Sequence, residues 1–244
     1  MVSGRRVDTL LPAHRRRLRH LECQGGARGP VKPWRVVKAF LDVSVRREDH
    51  FTEAQVLALI DAAREQHPCF ADLCEAAFHT GARAPGELAE LDVQHFDTRR
   101  ARIVIPDGKT GGRITGLTQE GVVFFARLIE GKRPRDILLP RADGERWGKS
   151  EQHRPMKKAL EAAGLPATAS LYTLRHSYVS RSIERGMPLT LVAENVGTSV
   201  RMIEQNYGKF IAQTRRELIE KTAPVLRVVK GIVTPKDAGK TAPA

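Results

Sequence analysis

One segment of the chain gathers residues that could react with a phosphate group. Residues Leu171 to Phe210 contain all three tyrosines of the protein, together with the pair Arg175 and His176. Tyr207 lies near the end of this segment, and its neighbours in sequence are polar or small. We therefore predict that Tyr207 is not a core residue and that it ends a short polar helix. A phenol held near cationic side chains can act as a nucleophile toward phosphorus.

Three further cations lie where the chain is expected to end a helix or to turn. Arg83 follows a turn at Gly81, Lys109 lies near the tip of a predicted hairpin, and Arg175 lies on a predicted helix. Each of them alone is more often an ordinary surface residue than part of a site. Together with Tyr207, they predict a site in which guanidinium forks bind phosphate oxygens beside a nucleophile.

The charge of the chain indicates a polyanionic partner. Its 244 residues contain 41 Lys and Arg against 28 Asp and Glu, a net charge of +13, with an isoelectric point near 10.2. Residues 1–50 alone hold twelve basic and five acidic residues. Nucleic acid is the first candidate for such a partner, and the N-terminal residues are predicted to form a basic arm.

Two common classes of site are excluded by the sequence. The three cysteines Cys23, Cys69 and Cys74 form no C-x-x-C pair, so neither a zinc site nor a disulfide framework is predicted. The triplet GKT at 108–110 resembles part of a nucleotide-binding loop, but Ile103 stands where that loop needs a glycine. We therefore predict no metal and no cofactor.

The sequence predicts neither a membrane span nor a secretory signal. No apolar run approaches the length of a membrane span, and the charged N-terminus is not followed by the apolar core of a secretory signal. The sequence predicts a cytoplasmic protein with no membrane partner.

Helical periodicity dominates the first half of the chain. Thr52 and Gln55 form a capping box that opens a helix ending near Gln66. A second helix is predicted over Phe70 to His79. Pro85 is then expected in the first turn of a further helix that runs through Leu91.

The pattern changes to strands once. Ala101 to Ile105 and Arg113 to Leu117 alternate like two strands of a hairpin, and Thr118 then caps another helix. An amphipathic helix over Ser150 to Ala163 precedes the tyrosine-rich segment. The predicted fold is mainly α with a small antiparallel β-sheet, of the α+β class. Tyr178 is predicted to be a core residue of its helix.

Four short motifs occur in an order that is typical of one family. They are Thr80 to Leu88, Lys109 to Gly111, Leu174 to Ser177, and Met202 to Tyr207. They match the T-G-x-R-x-x-E-L box with one extra residue, the hairpin K-T-G, the L-R-H-[ST] box and the segment around the nucleophile. From about Phe51 to Phe210, the chain resembles the catalytic domain of tyrosine recombinases, the phage-integrase family.

The resemblance implies roles for the individual residues. Its catalytic positions fall on Arg83, Lys109, Arg175 and Tyr207. His176 either assists catalysis or orients Arg175, and we favour orientation. Two positions depart from the family pattern: Tyr172 replaces a histidine, and Thr198 follows Gly197 where histidine or tryptophan is usual. Tyr172 and Thr198 can still support the site, since both can donate a hydrogen bond to a phosphate oxygen.

The resemblance also implies an activity and an organisation. It implies a site-specific recombinase that cuts and rejoins double-stranded DNA through a 3′-phosphotyrosyl intermediate, working as a homotetramer on DNA. Residues 1–50 are expected to be a basic arm or the remnant of a DNA-clamping domain, 51–212 the catalytic domain, and 213–244 a helix end and a flexible tail. The apolar run Val225 to Val229 is expected either to dock on a neighbouring protomer or to form an edge strand.

Two alternatives remain open at this stage. The first is a truncated or inactive DNA-binding module derived from an integrase, because residues 1–50 are too few for a complete clamping domain. The second is a type IB topoisomerase, which shares the chemistry.

Overall fold

The structure is a computed structural model that describes residues 50–106 and 111–224, except for the side chains of Gln213 and Thr214. Three predictions lie outside the described residues: the basic arm, the hairpin tip with Lys109, and the tail that contains the apolar run 225–229.

The described part of the chain is mainly helical. Its helices are α1 (Glu53–Gln66), α2 (Pro68–Thr80), α3 (Gln119–Ile129), α4 (His153–Ala162), α5 (Leu171–Glu184), α6 (Leu189–Val196) and α7 (Val200–Thr222). Thr52 and Gln55 form the predicted capping box of α1, and Thr118 caps α3 as predicted. Both caps satisfy backbone N–H groups that the first turn of a helix leaves without partners.

A small antiparallel sheet separates α2 from α3 in sequence. Its strands β1 (Phe96–Asp97), β2 (Arg102–Ile105) and β3 (Arg113–Gly116) lie in that order. Ile103 is paired with Phe96 on one side and with Thr115 on the other, and it is fully buried. The predicted hairpin is confirmed, whereas β1 is too short to be recognised from its sequence pattern.

The helices pack into a large core and a smaller one. The large core contains the buried faces of α1 to α4, the sheet and the start of α5. The smaller core joins the second half of α5 to α6 and α7, and it includes Val196, Ile203 and Phe210. Helix α6 also packs against β3. Because α5 contributes Leu174 to the large core and Val179 to the smaller one, its middle lies where the two meet.

Two details of the predicted elements were wrong. The helix expected after Pro85 is only a 3₁₀ turn, Leu88–Glu90, because Leu91 turns extended and its carbonyl accepts a hydrogen bond from Leu138 N at 2.9 Å. The short polar helix expected to end at Tyr207 is instead the 23-residue α7, which continues to Thr222.

The predicted fold class is confirmed: the fold is α+β, with helices around a three-stranded antiparallel sheet. Within the described ranges, no helix is both long and apolar enough to cross a membrane. Cys74 is buried, Cys69 is half-buried, and both thiols are free.

The turn at the end of α2 gives a first testable prediction. Gly81 has φ +61°, and a Cβ atom there would lie 2.4 Å from Cδ1 of Tyr178 and 2.8 Å from Cγ1 of Val196. We expect Gly81→Ala to lower the free energy of unfolding by roughly 2–5 kcal/mol, since left-handed backbone costs about 1–2 and overpacking about 1–3. Urea unfolding of the full chain measures the change.

A second glycine provides the matched control. Gly131 has φ +71°, but a Cβ atom there would meet nothing within 4 Å. Gly131→Ala should therefore cost only the backbone contribution of about 1–2 kcal/mol. Equal losses in the two variants would show that Tyr178 and Val196 do not restrict position 81.

Candidate active site

Tyr207 lies in the smaller core, and its hydroxyl contacts a histidine. Its side chain is 8% exposed, so the prediction that it is not a core residue was wrong. The polar residues beside it in sequence lie on other faces of α7, whereas Ile203 and Phe210 share its face and are buried. The hydroxyl oxygen lies 2.5 Å from Nδ1 of His176.

Helix α5 presents His176 and Tyr172 side by side. The two rings meet edge to face with centroids 4.8 Å apart, and the ring of His176 lies 5.6 Å from that of Tyr207. Tyr172 is 48% exposed, so it forms the solvent side of this aromatic group. The contact between His176 and Tyr207 was not predicted, because nothing in the sequence indicates which face of α7 meets α5.

Burial affects the acidity of the nucleophile candidate. Burial raises the pKa of the Tyr207 phenol well above its usual range, with Tyr172 adding to the increase and Arg175 opposing it. The phenol therefore stays protonated at neutral pH. An attack by its oxygen requires an acceptor for this proton. Nδ1 of His176 contacts the hydroxyl, and this nitrogen can accept the proton when it is unprotonated.

Arg175 is a buried cation on the same turn of α5. Its side chain is 4% exposed, and Nη1 donates to the carbonyl oxygen of Gly81 at 2.6 Å. Burial lowers the pKa of its guanidinium; Tyr172 opposes the shift, and Arg83 adds to it. Among the described residues, no carboxylate forms an ion pair with Arg175. A buried guanidinium of this kind gains from an incoming anion.

Arg83 lies three residues after the end of α2 and is partly open to solvent. Its side chain is 36% exposed, and Nη1 pairs with Oε1 of Glu87 at 2.7 Å. Its backbone N–H donates to the other oxygen of Glu87 at 2.8 Å, and Nη2 approaches the carbonyl oxygen of Gly197 at 3.4 Å. Arg83 is thus tied to its own turn and to the end of α6.

A second arginine binds the same carboxylate. Arg113, the first residue of β3, forms a two-pronged ion pair with Glu87 at 2.9 and 2.7 Å. The sequence predicted Arg113 only as the start of a strand and Glu87 only as part of a motif. No local pattern signals their pairing, because 26 residues separate them.

The electrostatics of Glu87 follow from these contacts. Burial alone would raise the pKa of its carboxyl, but hydrogen bonds and charge from Arg113 and Arg83 outweigh that and lower the pKa from 4.5 to about 2. Glu87 is therefore ionised throughout the physiological range, and it holds two guanidinium groups in fixed orientations.

Of the remaining predicted site residues, Thr198 lies in the described part of the chain. Thr198 follows Gly197 at the end of α6; it is half-buried, and its backbone N–H donates to Ala193 O at 3.0 Å. It therefore lies beside the carbonyl that Arg83 approaches, and its supporting role stays a prediction. Lys109 lies outside the described residues.

In residues 50–106 and 111–224, no group of three or more His, Cys, Asp or Glu side chains could hold a metal ion.

The candidate site is thus assembled from several elements. The end of α2 supplies Arg83, the first turns of α5 supply Arg175 and His176, and the middle of α7 supplies Tyr207. The fold that positions these residues is that of tyrosine recombinase catalytic domains. The chain belongs to the phage integrase family, whose model matches residues 49–211.

Curated relatives share part of their length with the chain. It is 28% identical over 191 residues to the tyrosine recombinase XerD of Mycobacterium tuberculosis, covering 72% of this chain and 61% of that protein. It is 24% identical over 166 residues to XerD of Pseudomonas aeruginosa, covering 64% and 55%. The chain therefore spans about three fifths of the length of these relatives.

Solved structures share the fold. The XerA recombinase superimposes with a TM-score of 0.57 at 21% identity, over 72% of this chain and 66% of that one. A lambda integrase dimer bound to a core site gives 0.59 at 18% identity, over 76% and 69%. The Tn1549 transposon integrase in complex with circular intermediate DNA gives 0.60 at 18% identity, over 75% and 70%.

The lowered pKa of Glu87 gives a prediction on acid stability. A carboxyl whose pKa is lower in the folded state stabilises that state above its unfolded pKa, and this stabilisation is lost as the pH falls toward the folded value. Between pH 4.5 and about 2, the free energy of unfolding of the wild type should therefore fall more steeply than that of Glu87→Gln. Urea unfolding at several pH values measures both slopes.

Glu90→Gln, at an exposed position three residues after Glu87, controls for the loss of one surface carboxylate. Equal slopes for the wild type and Glu87→Gln in this window would contradict the ion pairs assigned to Glu87.

Proposed function

We propose that this chain is a site-specific DNA recombinase or integrase that cuts and rejoins strands through a 3′-phosphotyrosyl intermediate. The observation that carries the proposal is the contact between Tyr207 and Nδ1 of His176 at 2.5 Å, one residue from the buried cation Arg175. This contact supports the proposal, because it brings a candidate nucleophile, a candidate proton acceptor and a cation suited to phosphate into one small region.

The proposed reaction exchanges one phosphate ester for another. The Tyr207 oxygen attacks the phosphorus of a DNA strand and forms an O–P bond, while the bond from phosphorus to the 5′-oxygen breaks. The phenol proton passes to His176, and the 5′-oxygen receives a proton and leaves as a hydroxyl. The phosphotyrosine preserves the ester, so a 5′-hydroxyl can rejoin the strand by the reverse steps without ATP.

Arg175 and Arg83 are proposed to bind the non-bridging oxygens. Negative charge builds on these oxygens in the transition state, and fixed donors stabilise it without reorganisation. The burial of Arg175 supports this role, since a phosphate would supply the anionic partner that the described residues do not. Arg83 is held by Glu87 but is 36% exposed, which leaves it accessible to a strand.

The other roles rest on the family resemblance. Lys109 is proposed as the general acid that protonates the 5′-oxygen. Tyr172 and Thr198 are proposed to donate hydrogen bonds to the phosphate, and the exposure of Tyr172 suits such a contact. The earlier expectation that His176 orients Arg175 remains compatible with its contact to Tyr207.

Double-stranded DNA is the proposed partner. The net charge of +13 favours a polyanion, and the lambda and Tn1549 integrases are described in complex with DNA. We further propose a homotetramer on DNA, with residues 1–50 as a basic arm along the phosphates, 51–212 as the catalytic domain and 213–244 as a helix end and tail.

Removing the nucleophile tests the proposal directly. Tyr207→Phe removes one oxygen and should abolish covalent trapping on a nicked attachment-site substrate, because no other atom would form the O–P bond. DNA binding should change by less than about threefold, since the phenol contributes little to phosphate affinity compared with the cations. Gel electrophoresis under denaturing conditions measures trapping, and salt-dependent filter binding measures affinity.

Tyr178→Phe is the matched control. Its hydroxyl accepts a hydrogen bond from Asn195 Nδ2 at 2.9 Å, whereas the Tyr207 hydroxyl contacts His176, so this variant should still trap DNA. A covalent adduct with Tyr207→Phe would refute the assignment of the nucleophile. Binding without cleavage by the wild type would favour a DNA-binding module, and relaxation of supercoiled plasmid without recombination would favour a topoisomerase.

A further inference from the structure

The side chain of Arg113 contacts two segments outside its own sheet. Its side chain is 10% exposed, and its two terminal nitrogens donate to the two oxygens of Glu87. The third nitrogen, Nε, donates to the carbonyl oxygen of Asn195 at 3.0 Å. One side chain thus joins the start of β3 to the turn that holds Arg83 and to the last turn of α6.

The neighbouring glycine is fitted to this side chain. A Cβ atom on Gly197 would lie 2.9 Å from Nη1, 3.0 Å from Cδ and 3.0 Å from Cζ of Arg113. Gly197 also has φ +67°. The guanidinium therefore packs against the bare backbone of Gly197, whose carbonyl oxygen is approached by Arg83 on the other side at 3.4 Å. Arg83 and Arg113 hold the same turn and the same carboxylate.

The net charge of Arg83, Arg113 and Glu87 depends on the second arginine. Two guanidinium groups share the one carboxylate of Glu87, so the three side chains together keep one net positive charge. Without Arg113, Glu87 would neutralise Arg83 completely, and the pair would present no net charge to a phosphate. The second arginine thus allows a carboxylate to orient Arg83 without cancelling its attraction for an anion.

We infer that Arg113 is a positioning residue for the active site: it holds Glu87 so that Arg83 stays oriented and keeps its positive field. The inference rests on the proposed function, because it assigns the field of Arg83 to a phosphate. Arg113 itself does not touch the substrate, since the contacts of its three nitrogens are made within the protein.

A second substitution that restores the net charge distinguishes the positioning role of Arg113 from a merely structural one. Arg113→Gln should slow single-turnover trapping of nicked attachment-site DNA by the full chain about tenfold or more, because the stabilisation of transition-state charge falls. The double variant Arg113→Gln with Glu87→Gln removes one charge of each sign, which leaves Arg83 positive. It should react about fivefold or more faster than Arg113→Gln alone, since residues of one ion-pair network couple strongly.

The neighbouring strand offers a matched control. Arg102 on β2 pairs with Asp97 at 3.2 Å, away from Glu87 and Gly197. Arg102→Gln should trap DNA at the rate of the wild type. Melting temperatures of all variants show whether each one is folded at the assay temperature.

A second measurement does not depend on cleavage. In protein labelled with ¹⁵N-arginine, the Nε–H signal of Arg83, assigned by its loss in Arg83→Lys, should show increased mobility in Arg113→Gln and not in Arg102→Gln. An unchanged Arg83 signal would overturn the inference, as would wild-type trapping by Arg113→Gln or a double variant no faster than it. Failure of the wild type to trap DNA would instead refute the proposed function, and the NMR signal would then decide the role of Arg113.

Discussion

The hydrogen bond from buried Arg175 to the carbonyl of Gly81 is the constraint on which the site depends. It places a guanidinium that is 4% exposed at the end of α2, and so it joins α5 to the turn that leads to Arg83. Taking a cation out of water is costly unless it is paired. A carbonyl dipole compensates only part of that cost, and the part that remains favours an incoming anion at this position.

Other arginines of the described chain have a different environment. Arg64 pairs with Asp72 and Glu75, and Arg181 pairs with Glu184, all with side chains that are about a quarter to a third exposed. Ion pairs near solvent contribute little to stability. Arg83 and Arg113 fall between the two cases, because both bind Glu87 and yet retain one net positive charge between them. Arg83, Arg113 and Arg175 thus place positive charge where α2, α5 and α6 meet.

The nucleophile candidate is held from two directions. Its hydroxyl contacts His176 on α5, and three residues further along α7 the ring of Phe210 packs edge to face on His50, with centroids 4.7 Å apart. The backbone N–H of Phe51 donates to the hydroxyl of Ser177 at 2.8 Å. The residues that precede α1 therefore contact both helices of the site. Tyr207 is protected from solvent in this arrangement, which accounts for the raised pKa of its phenol.

Local pattern in the sequence determined helices α1 to α4, the hairpin, the α+β class and the four motifs, because caps, turns and periodicity act over a few residues. It also determined which residue types are available for chemistry. Only the tertiary structure decided that Tyr207 is buried, since the face of α7 is set by packing of Ile203 and Phe210 rather than by neighbours in sequence. It likewise decided that Arg113 shares Glu87 with Arg83, a pairing made by the meeting of a strand and a turn that no short-range pattern records.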